Sequence, residues 1–297
     1  MSGPSDQIDA VTGSTIRSHE WDGIRELNTP LPRWWLWTFL ISVVWGIGYW
    51  IAMPSWPLIS SYTKGVLGWS QRDNVAAELR DVRESRKPLE QRLLAAPLAD
   101  VERDSDLRQF ALASGQAAFK DNCAPCHGAG AQGSIGYPNL NDDDWLWGGT
   151  LADIEQTIKH GIRNENTESR FSEMPAFVTT GAMNRAQVSE MTDFVLSLSG
   201  QPHDADAAAR AKTVYVEQCE SCHLADGTGD RAQGAADLTD AIWLHGSSRA
   251  AIETTIANAR NASMPAWSGR LSAADVRALA IYVHSLGGGE AEQPLAE

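Results

Sequence analysis

One short pattern occurs twice in this chain, as Cys123-Ala124-Pro125-Cys126-His127 and as Cys219-Glu220-Ser221-Cys222-His223, and together the copies use all 4 cysteines of the 297 residues. A disulfide framework could form only by dismantling one of them. In Cys-x-x-Cys-His each thiol can add to a vinyl group of a porphyrin, and the adjacent histidine then meets the iron from one face. That spacing is the attachment signature of c-type haem. A Cys-x-x-Cys can also be half of a zinc site or a redox dithiol. Against zinc stand the long separation of the two copies and the histidine placed directly after the second thiol, a poor geometry for one tetrahedral ion.

Trp34 to Met53, the second constraint, is a run of 20 residues without a charge. As a helix it would span about 30 Å, the thickness of a bilayer's hydrocarbon core. Trp34, Trp35 and Trp37 crowd one end, and Tyr49, Trp50 and Trp56 the other, as interfacial aromatics do. Pro32 precedes the run, while Pro54 and Pro57 stop it. The run is too long for a signal-peptide core, and no small-residue cleavage pattern follows it. It reads as a single uncleaved anchor in the lipid bilayer. Basic residues lie on both sides and do not set its direction. Covalent haem is attached in bacteria on the outer face of the inner membrane, so the N-terminus is expected in the cytoplasm and the haem-bearing part in the periplasm.

Beyond the anchor the chain repeats itself. Leu140, Trp145, Leu146, Gly148, Ile154, Glu155, Thr157 and Ile158 recur 98 positions later as Leu238, Trp243, Leu244, Gly246, Ile252, Glu253, Thr255 and Ile256. Met174-Pro175-Ala176-Phe177 recurs as Met264-Pro265-Ala266-Trp267, and the closing helices match at Val195, Leu198 and Gly200 against Val283, Leu286 and Gly288. Each repeat reads as a helix into the Cys motif, a Gly-rich loop, a middle helix, the Met-Pro loop and a final helix. Units this small bury little apolar surface, and a large flat haem would supply the missing core.

The ligand expectations follow. Cys123, Cys126, Cys219 and Cys222 bind two covalent haem c groups, with His127 and His223 as proximal iron ligands. Met174 and Met264, each on a loop before a proline, are the distal candidates, because a neutral thioether opposite histidine raises the potential. Met183, Met191, His160 and His245 are competitors without a counterpart in the other repeat. The free ring N–H of each proximal histidine needs an oxygen, for which the carbonyls of Pro138 and Ala236 are placed. Trp145, Trp243, Arg163 and Arg260 are candidates for haem edges or propionates. With both irons six-coordinate, no residue is catalytic, and the chain is an electron relay. A net charge of −14 argues against a nucleic-acid partner.

Trp21-Asp22-Gly23-Ile24-Arg25-Glu26-Leu27-Asn28, with Pro30, Leu31, Pro32, Trp34 and Trp35 running into the span, followed by Tyr62-Thr63-Lys64-Gly65 and Leu67-Gly68-Trp69-Ser70, resembles the dihaem subunit III of cbb3-type cytochrome c oxidases. The resemblance runs from about residue 15 to 287. It implies an all-α fold, with one N-terminal transmembrane helix followed by two tandem class I cytochrome c domains. The expected layout is a cytoplasmic segment at 1–33, the anchor at 34–56, a charged linker at 57–105, haem domains at 106–200 and 201–290, and a tail at 291–297. Within the linker, a helix over about 70–96 is expected to be interrupted at Pro88. The resemblance also implies partners: a haem-copper catalytic subunit, a mono-haem cytochrome subunit and a donor cytochrome c. Ala236 departs from the proline usual in that family. The alternative is the dihaem cytochrome subunit of a periplasmic dehydrogenase.

Overall fold

A computed structural model of the chain describes residues 7–291, which divide between Glu84 and Ser85 into two compact units. The first begins with a hairpin that the sequence reading missed. Strands β1 (Ile16–Trp21) and β2 (Ile24–Leu27) pair antiparallel around Asp22-Gly23. Both turn residues have positive φ, 47° and 85°, which is what a two-residue primed turn needs. Trp21 faces Ile24 across the pair, and Arg25 bonds Glu20 at 2.9 Å.

Helix α1 (Arg33–Ala52) is the apolar run, and none of its residues is buried by protein. Its last carbonyls are capped by the loop that follows. Val66 N–H donates to Ile51 O at 2.9 Å and Leu67 N–H to Ala52 O at 3.1 Å, and Trp56 meets Trp50 edge-on at 4.9 Å. Val66 and Leu67, just after Gly65, therefore close a helix end that would otherwise leave acceptors unpaired.

Helix α2 (Gln71–Ala95) runs unbroken through Pro88, contrary to expectation. One lost ladder bond is outweighed by the rest of a long helix whose far end is packed. Leu93 is fully buried, as is Val101 in the short α3 (Leu98–Val101). Arg277 donates to the end carbonyls Leu94 O and Ala96 O, each at 2.7 Å. The end of the expected linker is thus part of the core.

The haem-motif region is mostly helical. The first repeat supplies α4 (Ser105–Asn122), α5 (Ala124–His127), α6 (Leu151–His160) and α7 (Arg185–Leu198). The second supplies α8 (Ala205–Gln218), α9 (Glu220–His223), α10 (Arg249–Asn258) and α11 (Ala273–His284). Asp104, Thr150, Asn184, Asp204, Ser248 and Ser272 each accept backbone N–H bonds as N-caps.

The packing of these helices does not follow the repeat boundary at residue 200. Helix α11 closes on α4 and α6, whereas α7 closes on α8 and α10. One core joins Phe119, Ile154 and Ile158 to Val276, Leu279 and Val283. The other joins Met191, Val195 and Leu196 to Ala211, Tyr215, Ile252 and Ile256. The aromatic pairs correspond: Phe119 with Tyr282 at 5.5 Å, and Tyr215 with Phe194 at 4.7 Å. The short connection Ser199–Asp204 gives the physical reason. Helices joined by so short a link pack as antiparallel neighbours, so α7 is captured by α8 and the last helix is left for α4. Gly115 and its counterpart Ala211 sit at these crossings. A Cβ on Gly115 would lie 2.2 Å from Ala278 O.

Candidate metal centres

Each Cys motif is one turn of helix. Cys126 N–H and His127 N–H both return to Cys123 O, at 3.1 and 2.9 Å, and Cys222 and His223 do the same to Cys219 O at the same distances. Positions i, i+3 and i+4 of a helix share a face, so two thiols and an imidazole are presented together. No cysteine is in a disulfide. Burial, with the neighbouring thiol, pushes Cys123 and Cys219 up to about 11, the opposite of the acidic thiol of a redox dithiol. Among the described residues, no three His, Cys, Asp or Glu side chains converge as a structural zinc site requires.

The loop after each motif turns back beneath the histidine. Gly133 N–H donates to His127 O at 2.8 Å and Gly229 N–H to His223 O at 3.0 Å. Both glycines have positive φ and lie against backbone that a Cβ would strike at 2.5 and 2.4 Å. This return aims a carbonyl at each ring. His127 Nδ1–H donates to Pro138 O at 3.0 Å and His223 Nδ1–H to Ala236 O at 2.9 Å. The expected acceptors are the observed ones. Burial holds both imidazoles below the ordinary histidine range. A neutral ring with Nδ1 protonated leaves Nε2 as a lone-pair donor for a metal.

The methionines are brought to these sites, crossed. Met174 lines the cavity that holds Cys219, Cys222 and His223. Met264 packs with Cys123, Ala124, Leu140 and Trp145 around the first core. Each methionine thus stands by the Cys motif of the other repeat, since the Met loops travel with the exchanged helices. Backbone bonds make the exchange reciprocal. Phe177 N–H donates to Ile256 O and Val178 N–H to Ala257 O, at 3.3 and 3.1 Å; Trp267 N–H donates to Ile158 O and Ser268 N–H to Lys159 O, at 3.1 and 3.2 Å. Met264 also pairs with Ile162, each N–H donating to the other's carbonyl at 2.9 Å.

Of the competitors, Met183 is core, and Met191 is a core residue at the wall of the cavity that holds His223. His160 is buried against Asn166 and Glu168. His245 lines that same cavity.

A haem fits this setting. The cavity is walled by Met174, Phe177, Leu238, Ile252 and Ile256, with two thiols and an imidazole on one side. Trp243, also on the wall, has a buried indole N–H with no partner, a donor suited to a carboxylate such as a haem propionate. Arg163, from the first repeat, reaches the same cavity, its guanidinium held by Ser172 O and Ala262 O. Trp145, the counterpart of Trp243, instead donates to Gly288 O at 2.6 Å.

Comparison with known proteins finds a cytochrome c family match on each repeat. The family model described as N-terminal domain of cytochrome oxidase-cbb3, FixP, matches residues 13–60, that of cytochrome c matches 112–199, and that of cytochrome c oxidase, cbb3-type, subunit III, matches 206–283. The chain is 49% identical to the cbb3-type cytochrome c oxidase subunit FixP of Azorhizobium caulinodans, covering 95% of this chain and 96% of that protein. It is 50% identical to FixP of Bradyrhizobium diazoefficiens, over 96% and 98%, and 48% identical to subunit CcoP of Cereibacter sphaeroides, over 92% and 94%. Cytochrome c domains imply covalent haem c, and the match ahead of and through the anchor sets the chain apart from the dehydrogenase alternative. The chain belongs to the FixP/CcoP family, the membrane-associated subunit III of cbb3-type cytochrome c oxidases, a dihaem cytochrome c in electron transfer to the oxidase.

Proposed function

We propose that the chain carries two covalent haem c groups with exchanged distal ligands. Cys123, Cys126, His127 and Met264 would hold the first, and Cys219, Cys222, His223 and Met174 would hold the second. Bound there, the haems supply one-electron carriers, and the protein supplies a dry pocket and fixed ligands, which tune potential. The observation that carries the reading is the cavity in which Met174 meets Cys219, Cys222 and His223.

Helix α1 anchors the chain by a single span in the bacterial inner membrane, with the N-terminus in the cytoplasm and the haem-bearing part in the periplasm. Electrons arrive from a donor cytochrome c and leave through the mono-haem subunit to the haem-copper subunit. The acidic surface favours a donor with a basic face.

A pyridine haemochrome assay on the detergent-purified complex is expected to return two covalent haems on this chain. The ligand crossing is tested by removing the first haem with Cys123→Ala and Cys126→Ala. In that background Met174→Leu lowers the remaining potential and abolishes the near-infrared sulfur-to-iron band, whereas Met264→Leu leaves both unchanged. The reverse outcome would falsify the crossing.

A further inference from the structure

The two distal methionines are held differently. Met264 has the backbone bridge to Ile162 and, in addition, Asn164 Nδ2 donating to its carbonyl at 2.7 Å. Met174 is bonded through a side chain instead. Its N–H donates to Asn261 Oδ1 at 3.1 Å, and Asn261 Nδ2 donates to its carbonyl at 3.1 Å. A carboxamide offers one acceptor and one donor side by side, the same pair a neighbouring peptide offers. Asn261 thus does for Met174 what the Ile162 peptide does for Met264. Asn164 and Asn261 each follow an arginine just past the middle helix of their repeat, and each reaches the methionine of the other repeat.

We infer that Asn261 is the positioning residue for Met174, and that by fixing the Met174 peptide it determines how firmly the second haem keeps its sixth ligand. This rests on the exchanged ligation proposed above. Both peptide groups of Met174 use Asn261, so its loss removes two bonds, whereas Met264 keeps its backbone bridge when Asn164 is lost. Losing both bonds corresponds to a displacement of Met174 easier by about tenfold or more.

The test uses the full-length haem-loaded chain and imidazole as the competing iron ligand. In a Met264→Leu background, where the near-infrared band reports Met174 alone, Asn261→Ala is expected to lower the imidazole concentration for half-displacement by about tenfold or more and to lower the potential of that haem. In a Met174→Leu background, Asn164→Ala is expected to shift the corresponding midpoint for Met264 by less than about threefold. Equal shifts in the two backgrounds, or an unshifted Asn261→Ala, overturn the inference. If Asn261→Ala fails to retain haem, Asn261→Ser, whose hydroxyl can serve only one of the two peptide groups at a time, is titrated against the same criterion. Persistence of the band in the double variant Met264→Leu, Met174→Leu would instead sink the ligand assignment itself.

Discussion

Asp144 is half-buried, and burial followed by the nearby carboxylates of Asp240, Asp142 and Asp237 pushes its own carboxyl up to about 6 from an ordinary 3.8. A folded-state value above the unfolded one means the native protein binds the proton more tightly. Stability contributed at this position is present at low pH and is lost as pH rises through about 6. Asp144→Asn is therefore expected to raise the melting temperature at pH 7, with the gain shrinking to nothing as pH approaches 3.8. A gain that is constant across that range would contradict the assignment. Other single residues were legible from the sequence alone. Both Cys motifs, both Met-Pro loops and both carbonyls behind the histidines were placed by spacing. Ala236 in place of proline leaves the bond to His223 as short as its counterpart, because the acceptor belongs to the backbone. Which methionine serves which histidine was not legible. The two Met-Pro-Ala loops are nearly the same in sequence, so neither states a preference.

At the scale of helices and strands, α4 and α11 approach closely where they cross at Gly115. Gly115→Ala would set a methyl 2.2 Å from Ala278 O, a backbone atom that cannot rotate away. The expected cost is about 1–3 kcal/mol, read as a lower unfolding midpoint of the haem-loaded protein. Ala211→Gly at the equivalent crossing is expected to cost about 1 kcal/mol, the helix penalty of glycine alone. A Gly115→Ala protein that unfolds no lower than the parent would show that the crossing is looser than the structure makes it. The β1–β2 hairpin carried a readable signal, Asp22-Gly23 between Trp21 and Ile24, masked by the polar residues around it. The buried end of α2 was harder to see. Leu93 and Val101 sit in a strongly charged stretch, and what makes them core is the cluster they form with Leu107, Ala111, Leu151, Ala278 and Ile281, most of it from far along the chain.

At the scale of the whole chain, most of the second site comes from the stretch Ser172–Asn261, with Leu146 and Arg163 added from earlier in the chain, and this stretch is nested inside the pieces of the first. Both cytochrome c repeats are present, and their closing helices are exchanged, α7 lying against α8 across a short connection and α11 against α4. A fragment spanning 85–200 lacks α11 and Met264, and is expected to give no stable methionine-ligated haem when expressed under haem-attaching conditions. A fragment spanning 172–262 contains Met174, α7, α8, the second Cys motif and α10, and is expected to give one. Absorption spectra of the two purified fragments decide between this nesting and independent repeats, for which the first fragment would be the competent one.

Such nesting also reverses the calendar of biogenesis. Ribosomes release a polypeptide from its amino end, so the earlier Cys motif emerges first yet must wait, without a lid, for the last helix to be made. The later motif finds its cover already delivered.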